Sequence, residues 1–569
     1  MPAWFAPWRL EQSWRTALAG DLPAAVLVTL MLIPQSLAYA MLAGVPAHIG
    51  LAASIFPLIA YAAFGRSPAL AVGPVAIASA MTMSALMPLA QPESPTWIAM
   101  TALLACMSGL LLFLMGTLRL GFIASLLSHP VMSGFISGAA ILIVLGQIGS
   151  LSGIKVHGDN AVELLDQLWH QSHLTHLPTL ELGLLVLFGL VLIRRYAGRM
   201  FRSLGANGLL LDVLTKAAPL SLLALAAWIA PWLDPGQSIR VVGSIPTGFS
   251  QLGLSTEQWV EWPSHILNLL PSALLIGLIG FIESVSMARA IAQRRTTKVD
   301  PNAELRGLGA ANIASGLSGA FPVTGGLSRS VVNLEGGAQT PMAGVYSAAL
   351  MLLVLLGVGE ALSALPLTAL AALVIVAVST LVDLRAMPEL MRYDRVDALS
   401  WMLTLLGVLM LGVESGIVAG IAVSVLGLLW RQSRPHVAIL GRIPGTEHFR
   451  NLSRYAVETR PGLLMVRIDA NLFFGNWDRL HDAVMELVNS VQTRPQHLVL
   501  CMASVNDIDA TALDGLRRMR AQLSARGIHL AFSELKGPVQ DKLMRVDATH
   551  DWRIFLSNQE AFERLSEAP

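Results

Sequence analysis

Glu283 is the single charge in the apolar run 274–288, and Arg329 is the single charge in the stretch Gly319–Ser330. Ionisable residues inside apolar spans are costly to keep and mark proton relays, ion paths or counter-ions. Glu283 can carry a proton or help hold a cation, with Ser284 and Ser286 beside it. Its structural alternative is an ion pair with Arg289 or Arg329. Arg329 brings positive charge to a place where an anion could bind, and its alternative is an ion pair with Glu335 or a lipid headgroup.

Two interrupted apolar stretches surround these charges. Ala71-Val72-Gly73-Pro74-Val75-Ala76-Ile77-Ala78-Ser79 starts extended and is expected to turn helical after Pro74, because proline suits a first helical turn. Gly319-Ala320-Phe321-Pro322-Val323-Thr324-Gly325-Gly326-Leu327-Ser328-Arg329-Ser330 repeats the design. Two half-helices beginning there would aim free N–H groups and positive dipole ends at one point, which makes an anion site. Pro34-Gln35-Ser36 interrupts a third run. Proline breaks the helical hydrogen-bond ladder, and broken backbone at membrane depth persists only where it lines a cavity or packs in protein. Gln35 and Ser36 therefore either face a ligand or bond a neighbouring helix.

The same residues form an internal echo. Ile33-Pro34-Gln35-Ser36 parallels Ile282-Glu283-Ser284, and Gly73-Pro74-Val75 parallels Phe321-Pro322-Val323. Both pairs share one offset, since 283 − 35 and 322 − 74 each equal 248. Duplicated halves with Gly/Pro-interrupted apolar segments at matching places are a signature of secondary transporters.

The elements that must position these residues are membrane helices. Of the 569 residues, 54% are hydrophobic and 13% charged, against roughly 25% charged in a soluble domain. Mean hydropathy is +0.62. The formal charge of +1 leaves no nucleic-acid footprint. Two cysteines, Cys106 and Cys501, exclude a disulfide framework and a cysteine metal cluster, and the histidines lack zinc spacing. No Walker or dinucleotide fingerprint is present, so neither an ATPase engine nor any enzyme is expected. Trp4, Trp8 and Trp14 make residues 1–20 an interfacial lead-in, not a cleaved signal.

A helix crosses the bilayer with roughly 20 apolar residues. Clear candidates lie near 22–43, 50–64, 97–117, 131–149, 179–195, 217–233, 266–289, 342–357, 361–382, 396–413 and 415–431, with weaker ones near 69–90, 305–320 and 323–336. That gives about fourteen crossings or half-crossings, seven per half. Basic clusters at Arg194/Arg195/Arg199/Arg202, Arg294/Arg295/Lys298, Arg385/Arg392/Arg395 and Arg431/Arg434 are placed in the cytoplasm by the positive-inside rule. The stretch 234–263, with Trp259 and Trp262, reads as an outer loop.

Beyond Arg434 the pattern becomes soluble. Strands are expected at Leu463–Ile468, Leu498–Ala503 and Ile528–Ser533, with helices over His481–Val491 and Thr511–Ala525. Alternating strands and helices imply a small α/β domain. The expected division is thus 1–20 lead-in, 21–431 membrane domain, 432–460 connection (Pro435, Gly441, Pro444, Gly445) and 461–569 α/β domain. Asp507-Ile508-Asp509-Ala510-Thr511 sits between strand and helix. An Asp or Thr there ordinarily caps the helix; the alternative is a regulatory modification of Thr511.

At these residues the chain resembles the SulP anion transporters, the sulfate-permease family. The matching blocks are Pro34-Gln35-Ser36-Leu37-Ala38-Tyr39-Ala40, Gly73-Pro74-Val75-Ala76, and the run from Glu283 through Asn302-Ala303-Glu304-Leu305 and Asn312 to Ser330. The C-terminal part resembles a STAS domain, with Ile508-Asp509-Ala510-Thr511 at its signature loop. The resemblance implies an α-helical polytopic membrane protein with a seven-plus-seven inverted repeat, divided into core and gate, and a cytoplasmic α/β STAS domain. It implies a substrate held by Gln35, by Gly73, Pro74, Val75 and Ala76, and by Leu327, Ser328 and Arg329. Glu283 falls on the coupling position and Thr511 on a regulatory one. A homodimer with elevator-like motion is implied, in the inner membrane, with both termini cytoplasmic.

The function expected is secondary active uptake of an inorganic anion, sulfate first, coupled to protons, without cofactor or bound metal. Its partners would be the anion, membrane lipid, a second copy and a cytoplasmic partner of the STAS domain. The alternatives are a sodium-coupled bicarbonate or dicarboxylate carrier, an exchanger, an uncoupled anion channel, or a regulator acting through its STAS domain.

Overall fold

The structure is a computed structural model, which describes residues 14–565 except 126–127, 157, 237, 244–261, 296–297, 492 and 547–551. The lead-in tryptophans Trp4 and Trp8, and Trp259 of the expected outer loop, lie outside the described residues. The chain forms two compact units, Met1–Ser424 and Val425–Pro569.

The first half of the first unit runs α1 (Trp14–Leu42), α2 (Ala47–Ala52), α3 (Phe56–Phe64), β1 (Val72–Gly73), α4 (Ala76–Leu86), α5 (Pro95–Thr117), α6 (His129–Ser152), α7 (Ala161–His170), α8 (Leu177–Ser203) and α9 (Gly208–Leu233). The second half runs α10 (Trp262–Arg295), α11 (Pro301–Leu317), β2 (Thr324–Gly325), α12 (Leu327–Glu335), α13 (Met342–Ser363), α14 (Leu367–Val378), α15 (Ala386–Tyr393), α16 (Arg395–Leu411) and α17 (Val413–Gln432). Each half thus has a long helix, a second crossing, a two-residue strand, a short helix and four more apolar helices. A short amphipathic helix, α7 or α15, falls at the same place in both. Among the described residues nine helices are long and apolar enough to cross a membrane. Helices α4, α11, α12, α13 and α16 complete the expected set of crossings and half-crossings.

The halves meet at β1 and β2, which pair antiparallel with Val72 opposite Gly325 and Gly73 opposite Thr324. Equivalent strands running in opposite directions are what an inverted repeat requires. The register corrects the echo. The strands lie 252 residues apart (324 − 72) and the short helices 251 (327 − 76), not 248. Pro74 follows its strand and leads into α4, whereas Pro322 precedes β2, so Gly326 stands before α12. The two prolines enter the same crossing at different steps, and that shift explains why their alignment misleads.

Helix α1 is also continuous through Pro23 and Pro34. The expected break at Pro34 is absent: one proline removes one ladder bond, and the flanking turns hold the helix.

One set of helix contacts joins α11 to α5 and α3, α10 to α5, and α13 to α1 and α3. A second set joins α6 to α16 and α14, and α8 to α9 and α14. In lipid no hydrophobic force drives helices together, so close packing through small residues replaces it. At the α5–α11 contact a Cβ on Gly109 would stand 2.5 Å from the Ile313 nitrogen, and one on Gly309 2.6 Å from the Phe113 nitrogen. Backbones that close exclude larger residues.

The second unit contains β3 (Val437–Arg442), β4 (Phe449–Asn451), β5 (Leu463–Ile468), α18 (Trp477–Ser490), β6 (His497–Cys501), α19 (Ala510–Ala525), β7 (His529–Ser533), α20 (Gly537–Val546), β8 (Arg553–Phe555) and α21 (Asn558–Arg564). One sheet has the order β4-β3-β5-β6-β7-β8, parallel from β5 to β8 and antiparallel at β3. β6 is buried along its whole length, as an inner parallel strand covered on both faces must be. Trp477, Leu480, Val484, Leu516 and Met519 cover one face and Phe449 and Phe562 the other. The expected connection 432–460 is corrected here: 437–451 supplies β3 and β4, and β3 lies inside the sheet. Its prolines and glycines suggested a linker, but Pro444 and Gly445 only turn the hairpin between two strands.

Candidate functional site: the strand crossing and its two helix starts

The crossing of β1 and β2 is held from several sides. The Ala71 carbonyl accepts from Gly326 N–H at 3.0 Å, and Ala71 N–H donates to Ser330 Oγ at 3.0 Å. Asn312 on α11 brackets Val323 by donating to its carbonyl at 2.8 Å and accepting from its N–H at 2.9 Å. Ser284 Oγ on α10 accepts from Gly325 N–H at 2.9 Å and lies 2.8 Å from Thr324 Oγ1, which in turn donates to the Gly280 carbonyl at 2.7 Å. The helix carrying Glu283 is thereby tied to the strand that leads into Arg329.

Immediately after the crossing, α4 starts behind Val75 and α12 behind Gly326, and among the described residues no side chain caps either start. The first N–H groups of a helix have no intrahelical acceptor. Uncapped starts of α4 and α12 at one crossing are therefore a ready anion cradle.

Arg329, in the first turn of α12, is 2% exposed. Its Nη1 donates to the Pro74 carbonyl at 2.6 Å and to Gln35 Oε1 on α1 at 3.2 Å. Its Nε and Nη2 are buried and make no hydrogen bond with any described residue. A buried donor left unpaired costs about 1–3 kcal/mol, so these two atoms are the strongest sign of a ligand in the structure. A Cβ on Gly326 would stand 2.7 Å from Arg329 Nη2, which is why glycine precedes this helix.

Among the expected binding residues the structure brings Gln35, Gly73, Pro74 and Arg329 together directly. Val75, Ala76, Leu327 and Ser328 supply the two helix starts. Ser36 is different: it is fully buried and donates to the Leu32 carbonyl of its own helix, so it holds α1 and faces no ligand. Glu283 is half-buried and its Oε2 has no hydrogen-bond partner among the described residues. No ion pair joins it to Arg329, Arg289 or any other described residue, yet Arg329 and Tyr39 lie within its electrostatic reach. Tyr39 was not singled out from sequence. It stands four residues after Gln35 on α1, hence on the same helix face, and it is buried beside Arg329.

Glu304 is a buried carboxylate, and it is engaged, accepting from Tyr61 Oη at 2.7 Å and Ser67 N–H at 3.0 Å. Asp300 caps α11, accepting from the Asn302 and Ala303 N–H groups. In the second unit Asp509 caps α19 by accepting from Ala512 N–H at 2.8 Å, which leaves Thr511 exposed on the first turn. Asp507 pairs with Lys542, whose hydrogen bond holds its carboxyl below the ordinary range. Among the described residues no group of acidic, histidine or cysteine side chains is arranged to hold a metal.

Comparison with known proteins decides the family. Residues 18–404 match the Sulfate permease family and residues 454–561 the STAS domain. The chain belongs to the sulfate permease family. It is 34% identical over 537 residues to the chloroplastic sulfate transporter 4.1 of Arabidopsis thaliana, covering 92% of this chain and 76% of that one. It is also 34% identical over 530 residues to a probable sulfate transporter of Mycobacterium tuberculosis, covering 93% and 91%. The fold is similar to that of SLC26A9, with a TM-score of 0.87 at 19% identity over 97% of this chain and 91% of that one. The transmembrane domain of the cyanobacterial bicarbonate transporter BicA aligns with a TM-score of 0.59 at 23% identity, over 73% of this chain and 98% of that domain. This permease is thus a multi-pass membrane protein with a C-terminal STAS domain, and its family transports anions.

Proposed function

We propose that this permease is a secondary active carrier that takes up sulfate with protons by an elevator-like movement of the core helices against the gate helices. The observation that carries the reading is the pair of unpartnered buried donors on Arg329 beside two uncapped helix starts. A tetrahedral dianion satisfies both donors and the first-turn N–H groups at once. The relatives named as sulfate transporters support sulfate as the first substrate.

Proton coupling rests on Glu283. A dianion entering a negative-inside cell works against about 2.3 kcal/mol per charge per 100 mV. One co-transported proton offsets half of that and two make the transfer electroneutral. Glu283 is a half-buried carboxylate, unpaired among the described residues and within electrostatic reach of Arg329, so its proton state and the bound anion sense each other. We assign the chain to the inner membrane with both termini cytoplasmic, as a homodimer, with the STAS domain and the exposed Thr511 serving regulation or assembly. No catalytic reaction is assigned.

The test is radiolabelled sulfate uptake into liposomes holding the purified protein, with an inward proton gradient and no sodium. Uptake that collapses with a protonophore is expected. Uptake that ignores the proton gradient but follows added sodium would overturn the proton assignment.

A further inference from the structure

The first unit contains a cavity of about 500 Å³ separate from the strand crossing. It is partly open and is lined by the last turns of α1, α4 and α6, the first turns of α8 and α14, and the loops that follow α4, α6 and α9. Gln35, Tyr39 and Arg329 are not among its walls. Helix α4 links the two places: it starts at the crossing and presents Ala80, Met83, Ser84 and Met87 to the cavity.

The walls have two characters. Met41, Met83, Met87, Leu142 and Ile143 form an apolar side, and methionine surfaces adapt to ligands of varied shape. The polar side holds Gln147, Lys155 and Arg240. Gln147 is 9% exposed and its amide makes no hydrogen bond with any described residue. Neither the Lys155 ammonium nor the Arg240 guanidinium is in an ion pair with a described residue. The other titratable groups on the walls are His176, Glu93 and Asp159. His176 is committed on both nitrogens, to Thr179 Oγ1 at 2.7 Å and Ser238 Oγ at 3.1 Å. Burial, and then the neighbouring Glu163 carboxylate, push the Asp159 carboxyl above its ordinary range.

A sulfate ion is far too small for this space, whereas ligand pockets for organic molecules span about 300–1,000 Å³. We propose that the cavity is a second binding site, for an amphipathic organic anion. Its carboxylate or sulfonate lies on Arg240 and Lys155, its adjoining polar atoms on Gln147, and its apolar body on the methionine and leucine wall. The guanidinium of Arg240 suits the planar, two-point recognition of such a group.

The test titrates naphthalene-2-sulfonate, by calorimetry, into the full-length protein in lipid nanodiscs. One saturable site per chain is expected, undisturbed by excess sulfate and retained in Arg329→Ala. Arg240→Gln and Gln147→Ala are each expected to weaken it about tenfold, and Lys155→Gln less. Absence of binding, affinity unchanged in both Arg240→Gln and Gln147→Ala, or displacement by sulfate would overturn the assignment. So would tighter binding of a naphthylmethyl-trimethylammonium cation, since that would give the cavity to Glu93 and Asp159. The Arg329→Ala arm also separates this proposal from the sulfate site, because the two fail independently.

Discussion

Replacing Arg329 with alanine removes the two buried donors that no described residue engages. A hydrogen bond involving a charged group is worth roughly 1.5–3 kcal/mol, so two are worth roughly 3–6 kcal/mol. At about 1.4 kcal/mol per tenfold in affinity, the expected loss is roughly 10²–10⁴-fold. The substitution also strips the Pro74 carbonyl and the Gln35 amide oxygen of their donor, so some loss of thermal stability accompanies it. Arg329→Lys keeps a charge but not the planar fork and is expected to fall between the two. The assay is equilibrium binding of radiolabelled sulfate to purified protein by scintillation proximity, with size-exclusion profiles confirming that each variant is folded. An Arg329→Ala protein that is folded and binds sulfate within threefold of the wild type would refute the site.

Three further outcomes are expected. Glu283→Gln should abolish the rise in uptake on acidifying the outside while leaving sulfate binding measurable; uptake that still rises with acid would place the coupling elsewhere. Gly326→Ala should cut uptake about tenfold or more, because its Cβ would stand 2.7 Å from Arg329 Nη2, whereas Gly357→Ala, with nothing within 4 Å, should leave uptake unchanged. In the STAS domain Asp469 is partly buried, which alone would raise its carboxyl. Two hydrogen bonds from Arg467, at 2.6 and 2.8 Å, and one with His436 outweigh burial and hold it below the ordinary range. A carboxyl lowered on folding stabilises above its unfolded value of about 3.9 and ceases to as pH falls through the folded one. Asp469→Asn should therefore cost up to about 1 kcal/mol near neutrality, with a difference from wild type that shrinks below about pH 4; thermal melts of the full chain across pH check this.

Much of this was legible in the sequence, and the failures have physical reasons. Arg329 and Glu283 stood out because charge inside an apolar run is costly, and both end beside the crossing. The half-helices were legible because Pro74 and Gly325-Gly326 interrupt hydrophobic runs. The register between the halves was not, because prolines can enter an extended segment before or after its strand, as Pro322 and Pro74 do. Pro34 suggested a break, but helix continuity depends on the neighbouring turns and on α2 packing against α1 at Ser36, where a Cβ on Gly50 would collide with the Ser36 carbonyl. Tyr39 could have been found from its spacing of four residues from Gln35. The roles of Ser284 and Thr324 could not, since their contact joins segments 40 residues apart. Strands β3 and β4 were hidden by Pro435, Pro444 and Gly445, which mark the ends and the turn of a hairpin as readily as a linker.

The most direct test of the central claim is to locate the anion. Selenate has the charge and shape of sulfate and scatters anomalously at the selenium edge. Crystals of the full-length protein grown with selenate should show a peak between the starts of α4 and α12, within hydrogen-bond reach of Arg329 Nε and Nη2. A selenate peak elsewhere in the membrane unit, with that position empty at saturating selenate, would contradict the account.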